Sequence, residues 1–249
     1  MEILKPDYCD SYTSGNNIVI TAFYKFAKIP NIELFRDKAI DVCKRNNILG
    51  TILLGHEGVN GTISGERHGI DAFYQFIKQY IELDGIVFKE SLYKKYPFEK
   101  LKIKLKNEIV TIKEECEFNP GTYVEPSKWD EFISQKDVVV VDTRNDYEFH
   151  IGTFAGSINP ETDNFTEFKE WCFRNIPDKN TPIAGFCTGG IRCEKSTSWL
   201  KKHGYNNVYH LKGGIIGYFI ETKNSNKMWK GDCFVFDDRV IINDKLESR

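Results

Sequence analysis

The order of apolar and polar positions in the N-terminal half predicts alternating strands and helices. Five segments rich in β-branched and aromatic side chains favour strands. They are residues 18–28, 48–55, 59–64, 87–93 and 101–106. Apolar residues at helical spacing follow the first and the third of these segments. The first four strands and the two helices have the order β-α-β-β-α-β, which predicts a ferredoxin-like α+β domain over residues 15–113.

A second alternation of strands and helices occupies residues 121–222. Asp137–Asp142 and Ile183–Cys187 are unbroken apolar runs, which are typical of strands buried on both faces. A third strand is predicted over Val208–Leu211, and helical segments lie between the strands. Strands that alternate with helices indicate a parallel α/β sheet.

Two segments lie outside these domains. Residues 113–123, KEECEFNPGTY, combine a charge run with a Pro-Gly pair and are predicted to be a linker. Residues 223–249 are predicted to form a C-terminal tail with one strand, Cys233–Phe236. No stretch approaches the roughly 20 consecutive apolar residues of a membrane span. The N-terminus, MEILKPDYCD, lacks the basic start and apolar run of a signal peptide, so we expect a cytoplasmic protein without membrane association.

Composition narrows the function classes. The net charge of −2 excludes a globally basic nucleic-acid binder, although it leaves a local basic face open. The seven cysteines are an odd number and are spread singly, which argues against a disulfide framework and fits a reducing compartment. There is no CxxC pair and the five histidines are scattered, so we expect neither a metal site nor another cofactor.

The segment GFCTGGIRCEKS, residues 185–196, has a specific chemical shape. Cys187 ends a predicted buried strand, where open α/β sheets place their sites. The residues that turn from this strand into a helix are predicted to aim backbone N–H groups at one centre, as an anion nest. They are Thr188, Gly189, Gly190 and Ile191. These donors and Arg192 are expected to lower the pKa of the Cys187 thiol. The alternative is a buried structural cysteine in a tight turn.

CTGGIR, with DTRNDYEFHIGTFAGSINP at 142–160 and LKGGI at 211–215, resembles a rhodanese domain. The loop cysteine of rhodaneses carries a persulfide, and Cys187 stands at the matching position. Only four residues separate Cys187 from Arg192, one fewer than in the phosphatases that share this architecture. A shorter loop suits a terminal sulfur better than a tetrahedral phosphate, so phosphatase activity is disfavoured.

CTGGIRCEKS and GHEGVNGT at 55–62, together with the predicted N-terminal domain, make the chain similar to the rhodanese-related tRNA uridine hydroxylase family. The resemblance implies an α/β protein, with an N-terminal ferredoxin-like α+β domain followed by a rhodanese-like parallel α/β domain. It implies 5-hydroxylation of the wobble uridine of tRNA, with molecular oxygen as co-substrate, an unidentified reductant and no stable protein partner. Many members continue into a cysteine-rich segment, whereas this chain stops soon after FVFDDRV at 234–240, so we expect that the core reaction does not need it.

Three further residues are candidates beside the loop. Cys193 could resolve a persulfide or a sulfenate by forming a disulfide, or it could be a small residue packed on the helix. Asp142 and Arg144 end the first buried strand and could reach the loop, or they could form a structural ion-pair network with Glu148.

In the N-terminal domain, the dipeptide Asn60-Gly61 is predicted to be a hairpin turn.

Residues 89–106 form a basic strip with seven lysines against two glutamates and three aromatic residues. In Leu101–Lys106 the lysines alternate with Leu and Ile, which predicts a strand with one core face and one positive face. Such a strip suits the phosphate backbone and unpaired bases of RNA. The candidate RNA contacts are Lys94, Lys95, Lys102, Lys104 and Lys106. The alternative is an edge strand that its lysines protect against aggregation.

Two other functions are alternatives to hydroxylation. A sulfurtransferase would pass persulfide sulfur from Cys187 to a thiol or to tRNA, and would need only residues 120–222. A non-catalytic binding module is disfavoured, because the cysteine, both glycines and the arginine of the loop are all present.

Overall fold

The computed structural model describes residues 1–6, 17–223 and 228–249, and these residues divide into two compact units. The first unit consists of Met1–Ile109, Phe236–Val240 and Leu246–Ser248. The second unit consists of Val110–Val235, Ile241–Lys245 and Arg249. The predicted tail, residues 223–249, is therefore no separate segment, since its described residues belong to both units.

The first unit is built on one six-stranded sheet. Its elements are β1 (Glu2–Leu4), β2 (Ile18–Phe26), α1 (Ile32–Arg45), β3 (Leu49–Gly55), β4 (Gly58–Gly65), α2 (Arg67–Ile77), a 3-10 turn (Ile81–Leu83), β5 (Val87–Tyr93) and β6 (Leu101–Leu105). The strand order is β1-β5-β2-β4-β3-β6. The four central strands are antiparallel and have the order of a ferredoxin-like sheet, which confirms the predicted fold class. β1 and β6 extend the two edges in parallel to their neighbours.

Helical spacing explains how α1 and α2 pack on this sheet. Phe35, Ala39 and Cys43 of α1 are buried at intervals of four residues, so they share one face of the helix. Phe73 of α2 meets Phe23 of β2 with ring centroids 5.4 Å apart. Most of the apolar residues that predicted the helices thus belong to the core, but Ile81, expected on the buried face of the second helix, lies in the 3-10 turn after α2 and is exposed.

The hairpin prediction at Asn60-Gly61 is wrong. Both residues lie inside β4, and the turn between β3 and β4 lies at His56 and Glu57. Gly61 is needed for packing instead, because a Cβ there would come within 2.8 Å of the ring of Phe23. Close approach between a strand and a ring therefore explains a glycine that local sequence associates with a turn.

The second unit contains a parallel sheet, as predicted, but the sheet has four strands rather than the three that the sequence predicted. Its elements are β7 (Thr122–Val124), α3 (Pro126–Ile133), β8 (Val139–Asp142), α4 (Asp146–Ile151), β9 (Gly152–Phe154), a 3-10 turn (Phe165–Glu167), α5 (Phe168–Asn175), β10 (Ile183–Phe186), α6 (Ile191–Lys202), β11 (Val208–Leu211), α7 (Gly214–Thr222), β12 (Trp229–Gly231), β13 (Cys233–Phe234) and β14 (Ile241–Ile242). The parallel sheet has the order β7-β11-β10-β8. β12 pairs with β9 and β13 pairs with β14, both in antiparallel fashion.

The linker prediction for residues 113–123 is wrong as well, because this segment packs on the second unit. Glu114 accepts hydrogen bonds from the Trp199 indole at 2.7 Å and from Lys202 at 3.0 Å. These donors and the neighbouring His203 lower the pKa of Glu114 to about 2, although partial burial opposes them. The Gly121 N–H donates to the Thr197 hydroxyl at 2.9 Å. The charges of this segment are partners for α6 rather than a sign of solvation.

Within the described ranges, no helix combines the length and the apolar character needed to cross a bilayer.

Candidate active site

The sulfur of Cys187 lies at the point where β10 turns into α6. Cys187 directly follows the last residue of β10 and is 1 % exposed. The turn is closed by Gly190, whose φ of 100° lies in the left-handed region that favours glycine. The Gly190 N–H donates to the Cys187 sulfur at 3.1 Å, and the Cys193 N–H donates to it too. The backbone of this loop therefore stabilises negative charge on the sulfur.

The first turn of α7 donates hydrogen bonds to the Cys187 loop. The Ile215 N–H donates to the Cys187 carbonyl at 2.9 Å, and the Ile216 N–H donates to the Thr188 carbonyl at 3.1 Å. These bonds satisfy loop carbonyls that would otherwise be buried without a partner. The LKGGI sequence thus holds the cysteine loop in place.

Arg192 is fixed by a buried carboxylate. Its guanidinium donates two hydrogen bonds to Glu148, at 2.8 and 3.1 Å. Glu148 is fully buried, accepts the Asn145 N–H at 3.1 Å as part of a capping box on α4, and accepts the Thr188 hydroxyl at 3.4 Å. Planar pairing of this kind sets both the position and the orientation of a guanidinium. Glu148 therefore belongs to the site, whereas sequence reasoning placed it only in a structural network.

The pKa values of the cysteines differ sharply. Burial alone would raise the pKa of Cys187, but the hydrogen bond from the Cys193 thiol, the charge of Arg192 and the backbone donors lower it to about 6. Burial raises the pKa of Cys43 and of Cys233 to about 12, and it raises that of Cys172 further. Of these four cysteines, Cys187 is therefore the one that is a thiolate at neutral pH.

Cys193 is the direct neighbour of this thiolate. It lies in the first turn of α6, is fully buried, and has its sulfur 3.5 Å from the Thr143 hydroxyl. Burial and the adjacent Cys187 thiolate raise the pKa of Cys193 well above its ordinary value. The two sulfurs thus form a thiolate–thiol pair.

Asp142 and Arg144 are paired with each other. Arg144 donates to both carboxylate oxygens of Asp142, at 2.9 and 2.6 Å, and also to the Gly152 carbonyl. Both side chains are fully buried, and the rings of Phe186 and Trp229 pack against the Arg144 guanidinium. These bonds tie β8 to β9, and Glu148, which the structural alternative included, hydrogen-bonds Arg192 instead. A role of Asp142 and Arg144 at the loop stays a prediction.

One part of the basic strip, β6, is an edge strand of the sheet in the first unit, whereas another part, β5, lies between β1 and β2. Lys102 and Lys104 are exposed on β6, Lys106 follows them, and Lys94 and Lys95 are exposed after β5. Ile103 is buried between the exposed lysines, as the alternation predicted. Leu105, however, is 42 % exposed, because β6 is the outermost strand and its end extends beyond the core. The aromatic residues of the strip are half-buried. They are Tyr93, Tyr96 and Phe98.

In the parts of the chain that the structure describes, no group of three or more His, Cys, Asp or Glu residues is placed to hold a metal ion.

Comparison with known proteins agrees with this two-unit arrangement. Residues 18–109 match the family model described as "UPF0176 acylphosphatase like domain", and residues 125–220 match that of the rhodanese-like domain. A tRNA uridine(34) hydroxylase from Teredinibacter turnerae is 46 % identical over 238 residues, covering 94 % of this chain and 74 % of the relative. The chain belongs to the tRNA uridine(34) hydroxylase family. Members of this family are modification enzymes of the oxidoreductase class.

Solved structures resemble the two halves separately. A rhodanese-related protein from Thermoplasma volcanium is 25 % identical, with a TM-score of 0.34, and matches 40 % of this chain and 92 % of its own. An acylphosphatase from Coxiella burnetii is 16 % identical, with a TM-score of 0.29, and matches 36 % of this chain and 94 % of its own.

Proposed function

We propose that this protein hydroxylates C5 of the wobble uridine of tRNA, with molecular oxygen as the co-substrate and Cys187 as the reactive group. The observation that carries the proposal is the cysteine loop itself, which keeps a thiolate at neutral pH in a chain 46 % identical to a tRNA uridine(34) hydroxylase. A thiolate is the reactive form of cysteine, whereas a thiol with a raised pKa is inert.

The backbone donors, Arg192 and Glu148 each have a different effect on the Cys187 sulfur. The N–H groups of Gly190 and Cys193 stabilise negative charge on the Cys187 sulfur or on an oxygen or sulfur atom attached to it. Arg192 lowers the pKa of Cys187 through its charge, and Glu148 keeps the guanidinium from turning away into solvent. Removing either member of this ion pair would therefore disturb the sulfur without touching it.

The basic strip is proposed to hold the RNA. Exposed lysines at 94, 95, 102, 104 and 106 attract the phosphate backbone, and half-buried aromatic rings beside them offer faces for unpaired bases. β6 suits this role because, among the described strands, only β3 pairs with it, which leaves its other side without a neighbouring strand.

A sulfurtransferase is the competing function, because a rhodanese-type loop also accepts a persulfide on Cys187. The two reactions raise the nominal mass of the nucleoside equally, since one adds oxygen and the other replaces oxygen by sulfur. The origin of the added atom separates them. Purified protein and unmodified tRNA are incubated with heavy-isotope dioxygen, under argon, or with a labelled sulfur donor, and the nucleosides are analysed by high-resolution mass spectrometry.

Hydroxylation predicts heavy oxygen on the base, no product under argon and no requirement for a sulfur donor. Sulfur transfer predicts product under argon and labelled sulfur on the base. Cys187→Ser in the full chain serves as the control that excludes a contaminating enzyme. Sulfur label without oxygen label would overturn the hydroxylase proposal and leave only the reactive Cys187.

A further inference from the structure

We propose that Cys187 and Cys193 together supply the two electrons that the hydroxylation requires, and that they form a disulfide with each other in every turnover. This inference rests on the proposed function, and it assigns to Cys193 the role of electron donor rather than that of a packing residue. It also names the chemical class of the reductant, a dithiol, that returns the pair to its starting state.

The geometry of the pair is the first argument. Cys187 follows β10, Cys193 lies in the first turn of α6, and the Cys193 thiol donates a hydrogen bond to the Cys187 sulfur. Two sulfurs already in hydrogen-bonding contact need only a small movement to reach the bond length of a disulfide, about 2.05 Å.

The other described cysteines of the second unit are placed differently. Cys172 belongs to the apolar core formed with residues such as Trp199, and the half-buried Cys116 packs against the same core. Cys233 is fully buried, and its sulfur is in hydrogen-bonding contact with the Thr188 side chain. Only for Cys193 do the described contacts include the Cys187 sulfur itself.

The electron balance requires such a donor. Converting the C5–H bond to C5–OH supplies two of the four electrons that reduce dioxygen, so two more must come from elsewhere. Joining a thiolate and a thiol as a disulfide releases two electrons and one proton. The O–O bond breaks, one oxygen atom becomes the C5 hydroxyl, and the other leaves as water. The two protons of that water come from the Cys193 thiol and from solvent, because Cys187 enters as the thiolate.

The electrostatics of the pair set the order of events. Apart from burial, the main causes that keep Cys193 protonated are its hydrogen bond to the Cys187 thiolate and the charge of that thiolate. Once oxidation removes the negative charge from Cys187, both causes disappear and the pKa of Cys193 falls. Cys193 is therefore easier to deprotonate after Cys187 has reacted than before, which favours formation of the disulfide at that stage. A dithiol then reduces the disulfide by thiol–disulfide exchange.

A single-turnover experiment tests this inference. The full-length protein is reduced, freed of reductant under argon, mixed with unmodified tRNA, and then exposed to oxygen. We expect at most one 5-hydroxyuridine per chain, together with an equal amount of Cys187–Cys193 disulfide measured by peptide mass spectrometry. Adding dithiothreitol should then allow repeated turnover. Cys172→Ala is the matched control, because it removes a buried thiol outside the pair, and it should behave as the unmodified protein does.

Cys193→Ser separates electron donation from packing. Serine keeps a hydroxyl donor for the Cys187 thiolate, so the pH midpoint of Cys187 alkylation should stay low, whereas the burst of product without reductant should be lost. A burst as large as in the unmodified protein would overturn the inference, as would product accompanied by free thiols or by a Cys187–Cys233 disulfide. These results would leave the hydroxylase proposal intact. By contrast, no 5-hydroxyuridine even with oxygen and dithiothreitol would overturn the proposed function itself.

Discussion

Gly214 lies directly against the backbone of Cys187: a Cβ at Gly214 would come within 2.5 Å of the Cys187 carbonyl oxygen and 2.6 Å of the Gly190 nitrogen. Gly214 also has a φ of 66°, in the left-handed region. The glycine therefore fixes how closely the first turn of α7 approaches the Cys187 loop. No flexible side chain can move aside there, because both contacts are backbone atoms.

We expect Gly214→Ala to displace the Cys187 loop. Its N–H donors would then move away from the sulfur, so alkylation of Cys187 should slow at neutral pH and its pH midpoint should rise. Gly204→Ala is the matched control, because Gly204 has a φ of 84° but no atom within 4 Å of a Cβ. In the control, the free energy of unfolding should fall by only about 1–2 kcal/mol, because alanine disfavours the left-handed conformation. The alkylation profile of Cys187 should be unchanged. Equal profiles for the two variants would show that the close approach does not hold the loop.

The ionisation of Cys187 provides the second prediction. Because only the thiolate reacts, the rate of alkylation should rise with pH through a midpoint near 6 and then level off, whereas a free cysteine has a midpoint near 8.5. Cys43 and Cys233 should react far more slowly, since burial raises their pKa values to about 12. Peptide mapping after brief alkylation between pH 5 and pH 9 measures each site. Equal alkylation rates at all cysteines would contradict the assignment of Cys187 as the reactive thiolate.

Cys187→Ser should abolish tRNA modification with little change in the free energy of unfolding. Serine fits the same turn and can accept the Gly190 N–H, but its hydroxyl does not ionise near neutral pH. Full activity in this variant would remove Cys187 from the reaction.

Periodicity predicted the fold well because both units are built from regular elements with continuous apolar faces. The ferredoxin-like order, the parallel sheet and the family were all predicted from the sequence and are confirmed. The strand Val208–Leu211 was predicted with its bounds, since a short apolar run between a Gly-Tyr-Asn-Asn turn and Lys-Gly-Gly leaves little freedom.

Contacts between residues far apart in the sequence were not predictable in this way. Glu148 meets Arg192 across 44 positions, and nothing in the local sequence around either residue indicates the other. Glu114 likewise bonds Trp199 across 85 positions, and such contacts explain why residues 113–123, predicted to be a linker, are packed structure. The glycines at 61 and 214 are explained by close approach to distant residues, which composition alone does not show.

The buried pair of Glu148 and Arg192 provides the fourth prediction. Glu148→Ala should lower the free energy of unfolding by about 3–5 kcal/mol, because it leaves a largely buried guanidinium without its partner. The matched control is Glu125→Ala, which removes the carboxylate of an exposed ion pair with Lys212 and should cost less than about 1 kcal/mol. Chemical denaturation of both variants measures the difference. Similar losses would mean that the Arg192 guanidinium finds compensation in solvent.

The lysine strip provides the last prediction. Replacing Lys102, Lys104 and Lys106 together by Gln should weaken tRNA binding, because each lysine that contacts a phosphate releases a counterion when it binds. The slope of the logarithm of affinity against the logarithm of salt concentration should fall by about one unit for each such contact.

A control of equal charge distinguishes a specific strip from net charge. Lys38, Lys44 and Lys78 are exposed on or next to the helices of the same unit, so replacing these three by Gln changes the net charge equally. If the strip binds the RNA backbone, only the variant at Lys102, Lys104 and Lys106 should change the salt dependence of tRNA binding. Alkylation of Cys187 by a small reagent should be the same in both variants, because the loop is built by residues of the second unit. If both triple variants bind tRNA equally and with the same slope, the lysines on β6 protect an edge strand and do not contact RNA.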